Sequence, residues 1–181
     1  PSDIPTKQAA AAVGQCELMY TYDKLFSEYN HTVAQILLTK SIISIPDRVD
    51  NVRNAIDELA SMGVIPIVNE NDTVATDEIV IGDNDTLAAI VAVHCHADLL
   101  ILLSDIDGLY TADPHKDPTA TLIKDITYRE ALNRGLKVMD AAAFAICAEQ
   151  GLPMVRVFGL NDPKNLIRVL EGDEMGTFVH P

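Results

Sequence analysis

The run Leu-Leu-Ile-Leu-Leu at positions 99–103 is the feature that most restricts how this chain folds. An uninterrupted apolar run of this length is typical of a strand covered on both faces, as in a parallel sheet packed between helices. Shorter runs in "TVAQILL", "VIPIV" and "MVRVF" predict three further strands. Segments with helical spacing lie between these runs, so the order of elements predicts an α/β fold with a mainly parallel sheet.

The predicted helices are recognised from their spacing and from their end signals. "DIPTKQAAAAVGQCELMYTYDKLFSEYN" predicts a helix with a break near Gly14. "PDRVDNVRNAIDELASMG" has apolar residues at helical spacing and a natural stop at Gly63. "DTLAAIVAVHCHA" predicts a helix capped by Asn84 or Asp85, and "VMDAAAFAICAEQG" and "NDPKNLIRVLEG" predict two more. We find no linker or repeat, and a single domain over residues 1–181 is the simplest interpretation.

Charge and cysteine content exclude several classes of protein. The chain has 13 basic and 27 acidic residues, a net charge of −14, whereas sequence-independent nucleic-acid binding needs a basic face. No apolar run approaches the roughly 18–20 residues of a membrane-spanning helix. The three cysteines are too few for a disulfide framework, and His94-Cys95-His96 predicts no metal site, because no second Cys/His cluster accompanies it. These features predict a cytoplasmic protein that does not bind nucleic acid or membranes.

Polar clusters stand where the predicted strands end. "IPIV" runs into Asn69-Glu70-Asn71-Asp72, "LLILL" runs into Ser104–Gly108, and Gly82–Asp85 precedes a helix. Ligands of open α/β sheets bind beyond the carboxyl ends of the strands. Amides bind carboxylates and ammonium groups, and carboxylates bind ammonium groups or Mg²⁺, so the clusters suit a zwitterionic small molecule and a metal–nucleotide. The alternative is that they are turn and cap residues.

Five segments carry a family resemblance: "KQAAAAVGQ", "HTVAQILLT", "VIPIVNENDTVATDEI", "GDNDTLAAIVA" and "ADLLILLSDIDGLYTADP". Over about residues 4–114 they resemble the glutamate 5-kinases of the amino acid kinase family. The resemblance implies a three-layer sandwich around the sheet, ATP and Mg²⁺ as cofactors, and phosphorylation of the glutamate γ-carboxylate, the first step of proline synthesis. It also implies that Asn69, Asp72 and Asn84 bind glutamate and that Asp85 organises the reacting groups.

The nucleotide side is implied by the same resemblance. Ser104 and Asp105 would lie against the nucleotide, with Tyr110 and Asp113 nearby. From about Asp113 onward the chain looks more like bacterial UMP kinase, a relative with the same fold. In "NRGLKVMDAAA", Lys137 is the nearest candidate for a catalytic lysine that contacts phosphate.

Two features of the family pattern are missing from the sequence. The family begins with a lysine-bearing strand and has glycine-rich loops, whereas no two of the nine glycines here are adjacent. We therefore expect a chain that is incomplete at its N-terminus, tends to form homo-oligomers and turns over slowly. The alternatives to a glutamate kinase are a UMP-type nucleoside-monophosphate kinase and a non-catalytic fragment or hybrid that keeps the fold.

Overall fold

The computed structural model describes residues 3–39, 41, 45–75, 84–104, 106–136, 141–152, 155–159 and 162–181. The chain divides into two compact units, unit 1 over residues 1–87 and unit 2 over residues 88–181. The single domain over residues 1–181 stays a prediction. Within the described parts of the chain, no helix combines the length and hydrophobicity that crossing a lipid bilayer requires.

Unit 1 contains helix α1 (Ile4–Ser27), strand β1 (Val33–Leu38), helix α2 (Pro46–Ser61) and strand β2 (Ile65–Glu70). The Asp3 carboxylate caps α1 by accepting a hydrogen bond from the Thr6 backbone N–H at 3.0 Å. The predicted break at Gly14 is wrong, because α1 continues through it. The alanines around Gly14 have the highest helix propensity of all residues and offset the roughly 1 kcal/mol that glycine costs.

Strands β1 and β2 pair in parallel, in register from Val33 opposite Ile65 to Leu38 opposite Glu70. Both strands therefore end at the same edge of their sheet. β2 extends past the apolar run of the sequence and includes Asn69 and Glu70. The polar cluster Asn69–Asp72 thus begins inside the strand, and the pairing with β1 fixes the backbone of its first two residues.

Unit 2 contains most of helix α3 (Asp85–His94), which begins in the last residues of unit 1. Three helices and six strands follow in the described part of the chain. They are β3 (Leu100–Ser104), β4 (Leu109–Tyr110), β5 (Leu122–Ile123), β6 (Asp125–Thr127), α4 (Tyr128–Asn133), α5 (Ala141–Glu149), β7 (Val155–Gly159), α6 (Lys164–Leu170) and β8 (Thr177–His180).

Four of these strands form one sheet in the order β3-β7-β8-β6, and β4 pairs with β5 in a separate hairpin. Among the described strands, the β1–β2, β3–β7 and β6–β8 pairs are parallel, and β7–β8 and β4–β5 are antiparallel. The predicted α/β class with mainly parallel pairing is confirmed. The sequence did not predict β4, β5, β6, α4 or β8, because elements of two to six residues are too short to show a period.

The core of unit 2 packs apolar side chains of the sheet against α3, α4 and α5. Val155, Val157 and Val179 are fully or almost fully buried at its centre. The Tyr128 ring packs edge-on against Phe144, with 5.4 Å between centroids, and its hydroxyl donates to the Leu152 carbonyl at 3.1 Å. That bond satisfies the one polar atom that burial of the tyrosine removes from water. Burial raises the pKa of Tyr128 and the pKa of Cys147.

We predict that Cys147 resists alkylation in the folded protein, whereas Cys16 reacts. Cys147 is buried, and burial raises its pKa to about 11, so almost no thiolate is present at pH 8; Cys16 is exposed on α1. Iodoacetamide labelling at pH 8, followed by peptide mass mapping with and without urea, measures both sites. Labelling of Cys147 as fast as Cys16 without urea would contradict the burial of this core.

The raised pKa of Cys147 determines how its contribution to the stability of the protein changes with pH. The folded pKa of Cys147 lies above its ordinary value of 9.0. The buried thiol therefore contributes fully to stability below about pH 9, and the contribution is lost as the pH rises from there through about 11.

Candidate functional site

Asn69 is the centre of a hydrogen-bonded amide cluster in unit 1. Its Nδ2 group donates to the Oε1 atom of Gln15 on α1 at 3.1 Å. Its Oδ1 atom accepts from the Glu70 backbone N–H at 2.9 Å and from the Asn84 Nδ2 group at 3.2 Å. Asn69 and Asn84, both predicted to bind substrate, are thus in direct contact across fifteen residues of sequence. The second Nδ2 hydrogen of Asn69 has no acceptor among the described residues.

Gln15 is a member of this cluster to which the sequence analysis gave no role. Gln15 lies in the segment "KQAAAAVGQ", one of the five segments that resemble the glutamate 5-kinases, so this resemblance could have identified it. Its Oε1 atom accepts from Asn69, while its Nε2 atom is buried without a hydrogen-bond partner among the described residues. A buried amide N–H that lacks an acceptor costs free energy, and an acceptor group on a ligand would remove that cost.

Glu70 and Asp72 are two carboxylates that follow Asn69 in the chain. Glu70 is only 4% exposed, although glutamate is rarely buried in proteins. Asp72 is half-buried in a turn in which the backbone N–H groups of Val74 and Ala75 both donate to the Asn71 carbonyl, at 3.1 and 2.9 Å. The turn carries Asp72 directly after β2, at the carboxyl end of the strand.

Asp85, predicted to be catalytic, is the first residue of α3 and is half-buried. The N-terminus of a helix carries a partial positive charge from its free N–H groups, which favours anions beside it. Asn84 precedes it and donates to Asn69, so the start of α3 is tied to the end of β2 within unit 1. The neighbouring residues Gly82 and Asp83 lie outside the described residues.

Unit 2 has a cavity of about 400 Å³ beside the β4–β5 hairpin. Tyr110 and Asp113, both predicted to bind nucleotide, line this cavity. Ser104 ends β3, and its Oγ atom accepts a hydrogen bond from the backbone N–H of Ile106, which also lines the cavity. Asp105 and Lys137, two further predicted site residues, lie outside the described residues.

The Asp113 carboxylate organises the loop that forms one wall of the cavity. Its Oδ1 atom accepts from the His115 backbone N–H at 3.0 Å, and its Oδ2 atom pairs with the Lys116 Nζ at 3.0 Å. The Lys116 ammonium and the His115 N–H hold the pKa of the Asp113 carboxyl below its ordinary value. The carboxylate therefore stays charged at neutral pH and holds the loop in its turn.

Basic side chains that the sequence analysis did not single out also line this cavity. They are Lys116, with an ion pair to Asp113, and Arg134, with an ion pair to Glu130. Both pairs are exposed to solvent, so each contributes little to stability, and each cation is available to an anion that enters the cavity. A cavity of this volume with a tyrosine and two cations suits a phosphorylated ligand of nucleotide size.

Comparison with known proteins identifies the family of this chain. The sequence model of the amino acid kinase family matches residues 2–157. The chain belongs to the amino acid kinase family. The glutamate 5-kinase of Symbiobacterium thermophilum is 48% identical over 188 residues, which cover 98% of this chain and 71% of that protein. The glutamate 5-kinase of Carboxydothermus hydrogenoformans is 45% identical, over 100% of this chain and 51% of that protein.

These relatives place the chain with the glutamate 5-kinases inside the amino acid kinase family. The chain spans between about half and seven-tenths of the length of the curated relatives it matches. The similarity extends through the segment after Asp113, because the alignments cover 98% or more of this chain. The predicted resemblance to the glutamate 5-kinases is confirmed.

Solved structures of UMP kinases share the fold of this amino acid kinase chain. The enzyme from Ureaplasma parvum has a TM-score of 0.64 at 24% identity and covers 86% of this chain and 63% of that one. The enzyme from Bacillus anthracis has a TM-score of 0.67 at 22% identity, with 86% and 61% covered. At such identities the likeness shows a common fold and leaves the substrate open.

We predict that replacing Asn69 by alanine destabilises the protein more than replacing Asn84. Asn69→Ala removes three hydrogen bonds, each contributing about 0.5–1.5 kcal/mol, and should lower the free energy of unfolding by about 2 kcal/mol. Asn84→Ala removes only the bond to Asn69, at an exposed position, and should cost less than about 1 kcal/mol. Urea unfolding of both variants measures this. Equal losses would mean that Asn69 is not the centre of the cluster.

Proposed function

We propose that the chain catalyses transfer of the γ-phosphoryl group of Mg·ATP to the γ-carboxylate of glutamate. The observation that carries the proposal is the 48% identity to a glutamate 5-kinase together with the direct contact of Asn69 with Asn84, two residues implied to bind the acceptor. The amide cluster of unit 1 serves as the acceptor site. The cavity of unit 2 serves as the nucleotide site.

The acceptor site supplies groups that complement a zwitterionic amino acid. The free N–H groups of the Asn69 and Gln15 amides donate to a carboxylate. Asp72 supplies negative charge for an ammonium group. UMP offers a dianionic phosphate and no ammonium group, so the Asp72 carboxylate opposes it, and this charge pattern favours glutamate as the acceptor.

The nucleotide site supplies a ring contact and positive charge. Tyr110 offers an aromatic face to a base, and Lys116 and Arg134 offer cations to phosphate oxygens. Among the described residues, no group of three or more His, Cys, Asp or Glu side chains could hold a metal ion. Mg²⁺ commonly binds through substrate phosphates, waters and one or two carboxylates, so we propose that it enters with the nucleotide and neutralises its phosphate charge.

The chemistry requires no general base. The γ-carboxylate of glutamate is already ionised at neutral pH. One of its oxygens forms a bond to the γ-phosphorus while the bond from that phosphorus to the β–γ bridging oxygen breaks, giving glutamyl 5-phosphate and ADP. The protein's task is to position the two substrates and to stabilise the charge on the transferring group. Asp85 serves by orienting cations and N–H donors at the start of α3.

We propose that the protein acts in the cytoplasm and associates with copies of itself. α1 buries none of its residues, and Val13 and Tyr20 on this helix are 69% and 64% exposed. Cys16, Cys95 and Cys147 form no disulfide, which suits a reducing compartment.

We predict that glutamate raises the melting temperature of the protein and that Asp72→Ala removes most of this shift. A ligand that binds the native state stabilises it, and loss of a charged contact should weaken glutamate binding about ten- to a hundredfold. Thermal-shift titrations with glutamate, UMP and Mg·ATP, beside an assay of glutamate-dependent ADP release, measure this. The Mg·ATP shift should be the same in both proteins.

Each other outcome assigns a different function. A shift and ADP release with UMP, without either for glutamate, would replace the proposal with a UMP-type kinase. No response to any of the three ligands would indicate a protein that keeps the fold without catalysis.

We predict that Asp85→Asn lowers kcat far more than it changes either KM. A residue that organises the reacting groups acts mainly in the transition state, and asparagine keeps the size and shape of the side chain at the first position of the helix, so stability should hardly change. Steady-state kinetics and a melting curve of the variant measure both effects. A large fall in melting temperature with normal turnover would leave Asp85 only a structural role at the start of α3.

A further inference from the structure

The hydroxyl of Thr177 joins the two strands of the β4–β5 hairpin to β8. Thr177 is the first residue of β8 and is 0% exposed. Its Oγ1 atom accepts from the Leu109 backbone N–H at 2.7 Å and donates to the Ile123 backbone carbonyl at 2.6 Å. Leu109 and Ile123 face each other across the hairpin. One side chain therefore satisfies a backbone donor on β4 and a backbone acceptor on β5.

Two glycines make this close approach possible. A Cβ atom on Gly108 would lie 2.6 Å from the Thr177 Oγ1, and one on Gly176 would lie 2.1 Å from the Val157 carbonyl oxygen. Both distances are shorter than a Cβ atom tolerates, and Gly176 also has a φ of +71°, which favours glycine. Gly108 thus leaves room for the Thr177 hydroxyl, and Gly176 lets the residue before Thr177 pass close to β7.

The hairpin fixed by Thr177 forms one wall of the cavity in unit 2. Tyr110 follows Leu109 directly, and the loop that continues from it lines the cavity through Lys116. β4 and β5 have only two residues each, and a ladder of two residue pairs is too short to hold the hairpin in one orientation by itself. The Thr111–Thr121 contact closes the hairpin beyond these strands but does not attach it to the sheet.

We propose that Thr177 is a positioning residue for the nucleotide site, an inference that rests on the proposed role of this cavity in binding Mg·ATP. Thr177 is not among the residues that line the cavity. Its hydrogen bonds to Leu109 and Ile123 determine the position of Tyr110 and of the following loop relative to the sheet. Loss of the hydroxyl leaves both backbone groups without this partner and loosens β4, the strand that continues into the cavity wall, whereas the end of β5 stays joined to β8 by the Phe178 N–H bond to the Lys124 carbonyl at 2.8 Å.

The test compares Thr177→Val, which keeps the shape and loses the hydroxyl, with Thr177→Ser, which keeps the hydroxyl. Val169→Ala is the matched control, because it opens a cavity at a buried residue of α6 and leaves the hydrogen bonds of Thr177 in place. Calorimetry gives the Kd for Mg·ATP, amide hydrogen exchange reports on Leu109, and melting curves with glutamate report on unit 1.

We expect Thr177→Val to weaken Mg·ATP binding about tenfold and to speed exchange at the Leu109 amide. The melting shift that glutamate produces should not change. Thr177→Ser should bind Mg·ATP as the wild type does, and Val169→Ala should melt at a lower temperature with an unchanged Kd.

Unchanged Mg·ATP binding by Thr177→Val would overturn this inference alone, as would a weakening in Val169→Ala equal to that in Thr177→Val. If Thr177→Val does not fold, Thr177→Ser decides, since weakened binding by a variant that keeps the hydroxyl also overturns it. Failure of the wild-type protein to bind Mg·ATP would instead overturn the proposed nucleotide site, and the inference would fall with it.

Discussion

Parallel strand pairing is the constraint on which both units depend. Parallel neighbours end at the same edge of a sheet, and the chain must cross over before the next strand can begin. In unit 1 the pairing of β1 with β2 sets Asn69 opposite Leu37 and Glu70 opposite Leu38. In unit 2 the pairing of β3 with β7 sets Ser104 opposite Gly159. Polar residues that follow an apolar strand are therefore brought to the edge where ligands of such folds bind.

The two candidate sites differ in the way that they hold their side chains. In unit 1, neutral amides bond to one another, and Asn69 receives bonds from both a backbone N–H and another side chain. Asn69 is held in place before a ligand arrives, because both acceptor positions of its Oδ1 atom and one of its two N–H donors are already used. In unit 2, Lys116 and Arg134 are held by exposed ion pairs, which are weak and can exchange partners when an anion binds. Amides suit recognition of a fixed zwitterion, and exchangeable cations suit the charge of a phosphorylated ligand.

Elements that show a clear period were predictable from the sequence, and short elements were not. The apolar runs predicted β1, β2, β3 and β7, each to within about two residues. The hairpin of β4 and β5 was missed because strands of two residues are too short to show a period. Gly14 predicted a break in α1, but the helix continues through it because the surrounding alanines have a high helix propensity.

The sequence by itself determined the class of fold, the family and the placement of polar residues after strands, because these depend on local periodicity and on motifs that are continuous in the chain. Only the tertiary structure decided which of those residues meet. It brought Asn69 onto Asn84 and Gln15, and it placed Lys116 and Arg134 around one cavity with Tyr110. It also gave Thr177, which no motif marked, two backbone partners far away in sequence. The hydrogen bonds among them join residues 15 to 68 positions apart, and their existence depends on strand register and burial, which a single sequence does not specify.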